Sequence, residues 1–380
     1  MVTVDETPIL VDPEVTTPVT PHRRREWGEV VILYGLSIGL ALGISAALVA
    51  FTGGSWREVF SAIVEGSLTR PGRWGKTLAQ SAPLLLVAVG TIVTTRSGLV
   101  NIGQEGQLLM GATAAAFVAT RLGGPGPVLL VGALVAGAAA GGLWAALAAL
   151  MRYWRKVPEV ISTLLMVFIA FSLTGYLLSS KSLLLDRDPA RANRSVTSGQ
   201  VPSDVRLPTI RLFGNEFHSG VLIALATALL LAYLLGRTVW GFRVRMLGHN
   251  PRAAQRAGVD EARSGTLAMA TSGALSGLAG AVMLTGGVAN YRLTPGFSNN
   301  VGWEGLLVAL LARASALLAI PMALLFGGLR TGSGFLASTG VERKIVDVVQ
   351  ALLVLALLVP PAVLYVRQRR RALAATRDRT

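Results

Sequence analysis

The sequence predicts an all-α polytopic membrane protein with about ten transmembrane helices. Of its 380 residues, 52% are hydrophobic and only 14% are charged, whereas a soluble domain has about 25% charged residues. The charged residues collect in short clusters that separate long apolar stretches. Several of these stretches reach the roughly 20 apolar residues that a helix needs to cross a bilayer. What remains is too short for a separate soluble domain of ordinary size.

The N-terminal segment, residues 1–27, is acidic before its arginines and rich in Thr and Pro, which predicts a disordered tail. Three arginines at positions 23–25 precede the apolar stretch 30–51. That stretch is too long for the apolar core of a secretory signal, so we interpret it as a retained first transmembrane helix. The arginines on its N-terminal side place the tail in the cytoplasm.

The remaining apolar stretches predict the other helices in order. They are residues 77–95, 107–122, 128–151, 160–178, 217–235 and 266–287, then two helices that share 302–335 with a turn near 313–315, and a last helix at 345–366. A polar, Gly-rich break at 97–106 separates the second helix from the third, and the longest loop, 179–216, is predicted to lie outside the cell. These helices make a transmembrane domain over residues 28–366, followed by a basic cytoplasmic tail, 367–380.

The net charge of +15 comes mostly from arginines at the ends of apolar stretches. This is the positive-inside pattern of membrane proteins, so we exclude nucleic-acid binding. Loop 237–263, which contains six arginines, is then cytoplasmic, as are both termini. The absence of cysteine excludes disulfides and thiolate metal sites, and the three histidines lie too far apart in the sequence to predict a metal site.

Nucleotide-binding and catalytic motifs are absent from the sequence. Gly75-Lys76-Thr77 resembles the end of a Walker A loop, but Arg70 stands where the leading glycine would be. There is no Ser/His/Asp set and no HExxH motif. We therefore expect a chain that is not an enzyme and that binds no cofactor itself.

The strongest polar signal is the segment 101–107, where Asn101, Gln104, Glu105 and Gln107 stand beside apolar helices with two glycines between them. Polar groups at membrane depth are costly, so they usually line a water-filled path or meet a partner. Glycines allow a broken helix whose end groups face a substrate. The alternative is an interfacial loop in contact with bulk water, and the residues alone favour neither interpretation.

Five other positions are weaker candidates for a substrate pathway, because each has a simpler structural explanation, such as a first-turn carboxylate or an interface aromatic. These residues are Glu159, Ser162, Thr163, Trp303 and Glu304. Closely spaced glycines, such as Gly273, Gly277 and Gly280, predict tight helix packing rather than a transport site.

The cytoplasmic loop contains a second candidate site. Its residues are Gly248, His249, Asn250, Pro251, Ala254 and Gly258. Asn250 and Pro251 are typical of a helix start, so we expect a short surface helix over 252–257 that Gly258 ends. A short helix held at the inner face favours docking of a soluble partner. The alternative is a basic loop drawn to anionic lipid headgroups.

One block of the sequence, at residues 99–111, reads LVNIGQEGQLLMG. It resembles the signature of the ABC importer permeases for nucleosides and simple sugars, which belong to the same broad group as the ribose and branched-chain amino-acid permeases. The resemblance is colinear over roughly residues 28–366. It includes the segments 77–83, 158–164, 248–258, 272–281, 305–311 and 325–328.

The resemblance implies the ABC importer permease fold in the cell's inner (plasma) membrane and a division of work among subunits. Residues 248–258 would form the coupling helix, in contact with a cytoplasmic ATPase that binds ATP and Mg²⁺. Substrate would pass near the polar residues of 101–107 and the fifth helix. The other implied partners are a second, similar permease and an extracytoplasmic substrate-binding protein or lipoprotein.

Nucleosides are the substrate class that the resemblance favours, and a simple sugar such as a pentose is the alternative. Two departures bear on the substrate: Val167 stands where the family often has Asn, and 312–315 replaces an Asn- or Gly-rich stretch. An ion-coupled secondary transporter with Glu105 as its proton site is the alternative of another class, although the long basic loop and the scarcity of other intramembrane acids count against it. A membrane scaffold without transport activity is a third reading.

Overall fold

The computed structural model describes residues 23–51, 64–186 and 196–337, together with residues 57 and 61 and scattered residues from 348 to 367. The predicted tail up to residue 22, much of the predicted helix 345–366 and the C-terminal tail from 368 lie outside the described residues. The chain divides into two compact units, Met1–Ile44 with Leu352–Thr380, and Ser45–Ala351. The second unit contains every candidate site residue named above.

The described residues are mostly helical, with one β-hairpin. The helices are α1 (Arg23–Phe51), α2 (Arg73–Arg96), α3 (Gln104–Arg121), α4 (Gly126–Arg155), α5 (Glu159–Ser179), α6 (Gly220–Arg237), α7 (Val239–His249), α8 (Pro251–Arg256), α9 (Glu261–Thr285), α10 (Val301–Leu311) and α11 (Ala316–Ala337). The hairpin pairs β1 (Thr209–Leu212) with β2 (Asn215–His218). A π-helical turn, Glu65–Thr69, and a 3-10 turn, Ser203–Val205, complete the set.

Six of the described helices are long and apolar enough to cross a membrane: α2, α4, α5, α6, α9 and α11. Helix α3 is less apolar, because polar residues fill its first turn. Helix α10 has 11 residues, so it spans only roughly 16 Å and cannot cross a hydrocarbon core alone. The described residues thus confirm a multi-pass helical protein, and the count of about ten helices stays a prediction.

Helix α2 forms the centre of the second unit. Every residue from Ser81 to Thr94 is buried, and the helix packs against α9, α10, α11 and α6. A helix that is apolar on all sides belongs inside a bundle. By contrast, α4, α5 and α6 expose apolar side chains along one side, as helices do that face lipid or another subunit.

Glycines let α3, α4 and α9 pack with their backbones in contact. A Cβ atom on Gly277 would overlap the carbonyl oxygen of Gly137, and one on Gly141 would overlap that of Gly273. A Cβ on Gly280 would overlap the carbonyl oxygen of Leu108 on α3. The glycine spacing on α9 therefore serves close helix packing, as predicted.

The start of the sixth predicted helix was wrong. The sequence places that helix at 217–235, but Phe217 belongs to strand β2 and α6 begins at Gly220. The hairpin turn is formed by Phe213 and Gly214, both with positive φ of 48° and 73°, a geometry suited to a tight antiparallel turn. His218, Ser219 and Gly220 interrupt the apolar run at this boundary, and such a polar, Gly-containing break was the sequence signal that could have located the start of the helix.

Candidate functional site

The polar break between the second and third helices is present and covers residues 97–103. Helix α2 ends at Arg96, and the N–H groups of Ser97, Gly98 and Leu99 donate back to carbonyls in its last turn. Gly98 has a φ of +76°, which ends the helix. Because α3 begins at Gln104, before the predicted residue 107, Glu105 and Gln107 lie in its first turn.

Asn101 and Gln107 hold the break through their side-chain amides. Asn101 Nδ2 donates to Gln107 Oε1 at 3.0 Å, and Gln107 Nε2 donates to Asn101 Oδ1 at 2.9 Å. Asn101 also donates to the Ser272 hydroxyl on α9 at 3.0 Å and accepts from the Gly103 N–H. This network joins the start of α3 to α9. The neighbouring Gln104 donates its amide N–H to the Thr91 hydroxyl on α2 at 2.9 Å.

The Glu105 carboxylate binds the beginning of a different helix. One oxygen accepts the Asn300 N–H at 3.0 Å, and the other accepts the Gly302 N–H at 2.6 Å. Asn300 precedes α10 with a φ of 64°, and its side chain does not cap the helix. Glu105 supplies the missing cap, and its negative charge suits the positive end of the α10 dipole. A Cβ at Gly302 would overlap Glu105, so this approach needs glycine.

The predicted residues at the start of α5 support the same break from its other side. The Val100 N–H donates to a Glu159 carboxylate oxygen at 3.4 Å, and the Ile102 N–H donates to the Thr163 hydroxyl at 3.3 Å. Glu159 also pairs with Arg152 at the end of α4. The Ser162 and Thr163 hydroxyls both donate to the Glu159 carbonyl. Two separate groups of predicted residues therefore meet at one place.

Trp303 and Glu304 lie in the first turn of α10. Glu304 forms an ion pair with Arg330 of α11 at 2.8 Å. Trp303 is partly buried. Both residues thus lie next to the Glu105 contact, and Glu304 is joined to α11 by the ion pair.

The polar residues of 101–107 are enclosed by protein. The exposed fractions of Asn101, Gln104, Glu105 and Gln107 are 2%, 1%, 2% and 1%. Buried polar groups with this many partners hold a backbone arrangement in place. Their contact with a passing substrate stays a prediction.

A cavity of about 330 Å³ lies between the first turns of α2, the link after α9 and α11. Basic and amide side chains line it, namely Arg73, Lys76, Gln80 and Arg330. The sequence did not predict a site here, although the cationic side chains of Arg73 and Lys76 at the predicted outer end of α2 were a usable signal. Next to the cavity, His218 is packed against Gly286. Burial lowers the pKa of His218 to about 4, and a backbone hydrogen bond with Ala79 opposes part of that shift.

The short helix predicted in loop 237–263 is present as α8, one residue before its predicted bounds of 252–257. The Asn250 side chain accepts the Ala253 N–H at 3.1 Å and starts α8, with Pro251 in its first position. Gly258, with a φ of 79°, ends the turn that follows. Leu247, Ala254 and Val259 pack together beneath α8.

The outer side of α8 is polar and basic. Arg252, Gln255 and Arg256 are exposed there, and His249 is exposed just before it. Gly248 lies directly against the end of α2, because a Cβ atom at Gly248 would overlap the Arg96 carbonyl oxygen. One side of the loop thus packs against the bundle, while the other is exposed.

Comparisons with known proteins agree with the sequence resemblance. The family described as branched-chain amino acid transport system / permease component matches residues 75–358. The chain is 33% identical over 331 residues to a guanosine ABC transporter permease protein of Bacillus subtilis, covering 86% of this chain and 92% of that protein.

Two further relatives have different stated substrates. A glucose ABC transporter permease protein of Haloferax volcanii is 31% identical over 294 residues, covering 74% of this chain and 75% of the relative. A nucleoside ABC transporter permease protein of Lactococcus lactis subsp. cremoris is 29% identical over 289 residues, covering 74% and 77%. Its curated relatives are ABC transporter permeases. The chain therefore belongs to the family of permease components of the branched-chain amino acid transport system type, to which it matches over residues 75–358.

Proposed function

We propose that this chain is one permease subunit of an ABC importer that moves nucleosides into the cell. The observation that carries the proposal is the likeness to the guanosine permease, which extends over 92% of that relative. A second relative is named as a nucleoside permease. A simple sugar is the second candidate substrate, because the glucose permease and a galactofuranose permease of Escherichia coli are also similar.

The energy source is proposed to be a separate cytoplasmic ATPase. The sequence contains no Walker A loop. Helix α8 instead presents Arg252, Gln255 and Arg256 outward from a loop that rests on the bundle. An exposed basic helix of this kind suits an acidic cleft on a soluble partner. We therefore assign ATPase coupling to residues 248–258.

Two further partners are proposed, one beside the chain in the membrane and one on the outer side of the membrane. We propose a second, similar permease, which would share the exposed apolar faces of α4 and α5 with lipid. An extracytoplasmic protein that binds the substrate would deliver it on the outer side. In this arrangement the chain is a multi-pass protein of the plasma membrane, with both termini in the cytoplasm.

The substrate pathway is proposed to pass the region where α3, α5 and α10 begin, near Asn101, Glu105 and Thr163. The support is the concentration of polar side chains at this point in an otherwise apolar bundle. Each Glu105 oxygen accepts a backbone N–H, a structural role that does not require proton uptake. This contact counts against a proton-coupled secondary transporter.

Reconstitution tests the function. The chain is placed in proteoliposomes with its cognate ATPase, second permease and binding protein, and uptake of radiolabelled guanosine, adenosine, ribose and glucose is measured with and without ATP. We expect ATP-dependent nucleoside uptake that a protonophore does not change. Uptake of sugar alone would establish the second candidate. Uptake that a protonophore abolishes and ATP depletion leaves intact would overturn the ABC mechanism.

A further inference from the structure

Helix α10 is held at both of its ends by residues from other helices. At its beginning, Glu105 of α3 accepts the N–H groups of Asn300 and Gly302. At its end, the Arg96 side chain donates from Nε to the Ala314 carbonyl oxygen at 2.8 Å. Since α10 has only 11 residues, these two contacts bind both of its ends, in addition to its packing against α2, α3 and α11.

The turn that Arg96 binds is backbone that needs support. Arg313 and Ala314 both have left-handed conformations, with φ of 51° and 54°. Neither residue is glycine, and side-chain-bearing residues adopt this region only when their surroundings hold them there. The turn connects α10 to α11, so a change in it moves one helix relative to the other.

Arg96 also touches the cytoplasmic loop through its backbone. Gly248 lies against the Arg96 carbonyl oxygen, and a Cβ built on Gly98 would lie 3.0 Å from the Gly248 Cα atom. No side chain separates the loop from the end of α2 at this point. Arg245 of α7 also lies near Arg96, and the positive charges of the two side chains repel each other. A displacement of the loop is therefore passed directly to Arg96.

We propose that Arg96 is the positioning residue that transmits movement of the coupling helix to the α10–α11 turn, and so to the helix that Glu105 holds. The inference rests on the proposed function, because it assumes that an ATPase moves the loop. The backbone of Arg96 contacts Gly248 of the loop, and its guanidinium donates to the Ala314 carbonyl, so a movement of the loop displaces the turn. Transport then depends on a bond that touches neither ATP nor substrate.

The test uses the complete reconstituted complex. Arg96→Gln removes the contact, because the shorter side chain does not reach Ala314, and Arg96→Lys keeps a cationic donor. Thr95→Val is the matched control, since the Thr95 hydroxyl bonds only within α2. A nitroxide on Leu317→Cys, at the exposed start of α11, reports the turn, and this chain, which has no native cysteine, is labelled before it is assembled with its partners.

We expect Arg96→Gln to keep ATP hydrolysis but to lower the substrate transported per ATP by about tenfold. The ATP-dependent change in nitroxide mobility should disappear as well. Arg96→Lys should recover part of both, and Thr95→Val should match the parent. An unchanged transport ratio and nitroxide response in Arg96→Gln would overturn the proposal. If that variant does not assemble, the same readouts on Arg96→Lys decide, with a smaller expected loss.

A second variant separates transmission from simple support of the turn. Ala314→Gly relieves the backbone strain at the residue that Arg96 binds but keeps its carbonyl oxygen. If Arg96 only supports the turn, Ala314→Gly restores transport in the Arg96→Gln background, and the proposal fails. If Arg96 transmits movement, transport stays low. A parent complex whose nitroxide responds to ATP without any nucleoside uptake would refute the proposed substrate, while the nitroxide comparison would still decide the role of Arg96.

Discussion

Replacing Glu105 with Gln tests whether this buried carboxylate holds the start of α10. Each oxygen accepts one backbone N–H, at 3.0 Å and 2.6 Å. Glutamine keeps one oxygen, but its amide N–H₂ meets the second N–H donor to donor. A hydrogen bond to a charged group contributes about 1.5–3 kcal/mol, and a buried unpaired donor costs about 1–3 kcal/mol. We therefore expect the free energy of unfolding to fall by about 2–5 kcal/mol.

Unfolding of the purified protein by SDS in mixed micelles, followed by circular dichroism, measures this loss. Glu65→Gln is the matched control, because Glu65 pairs with Arg70 at 3.2 Å while its side chain is 43% exposed. An exposed ion pair contributes about 0–1 kcal/mol, so the control should be nearly neutral. Equal losses in the two variants would refute the assigned role of Glu105.

Three further predictions follow from single residues. Gly277→Leu should abolish the monodisperse peak in size-exclusion chromatography, because the new side chain would overlap Gly137. The control, Gly175→Leu, has open space around it and should elute like the parent. Equal elution profiles of the two variants would contradict the prediction. Gly258→Leu should leave membrane insertion intact but weaken binding of the ATPase about tenfold. The reason is that the left-handed φ of residue 258 costs a side-chain-bearing residue about 1–2 kcal/mol. An unchanged affinity in a binding titration would contradict this prediction. The pKa of His218 is lowered by burial from 6.5 to about 4, so the unfolded chain binds the proton more tightly and stability falls as pH drops from 6.5 through 4, by about 3 kcal/mol. In His218→Phe the unfolding midpoint should depend less on pH over that interval, and an identical pH dependence would count against the assignment.

Local signals in the sequence predicted local structure well. Asn250 and Pro251 predict the start of α8, because capping depends only on neighbouring residues. The turn between α10 and α11 lies at 312–315, as the interrupted apolar pattern predicts near 313–315. The glycine spacing on α9 predicts close packing, and the overlaps at Gly277 and Gly141 show it.

The partners of long-range contacts could not be predicted from the sequence. The partner of Glu105 lies 195 residues further along the chain, and nothing in the segment 101–107 identifies it. The same holds for the contact of Arg96 with Ala314, which joins residues 218 positions apart. The prediction recognised that Glu105 is unusual, but the tertiary fold decides whether such a carboxylate caps a helix or faces water.

The burial of α2 has a consequence for how the protein is made. Helix α2 is synthesised early, yet two of the helices that cover it, α9 and α11, are encoded about 170 or more residues later. The Thr91, Thr94 and Ser81 hydroxyls donate to carbonyls of their own helix. Helix α2 can therefore be exposed to lipid, before the later helices are made, without leaving these three hydroxyl donors unpaired. The centre of the bundle is therefore completed only after α11 has left the ribosome. A chain truncated before α9 would leave its most buried helix facing lipid.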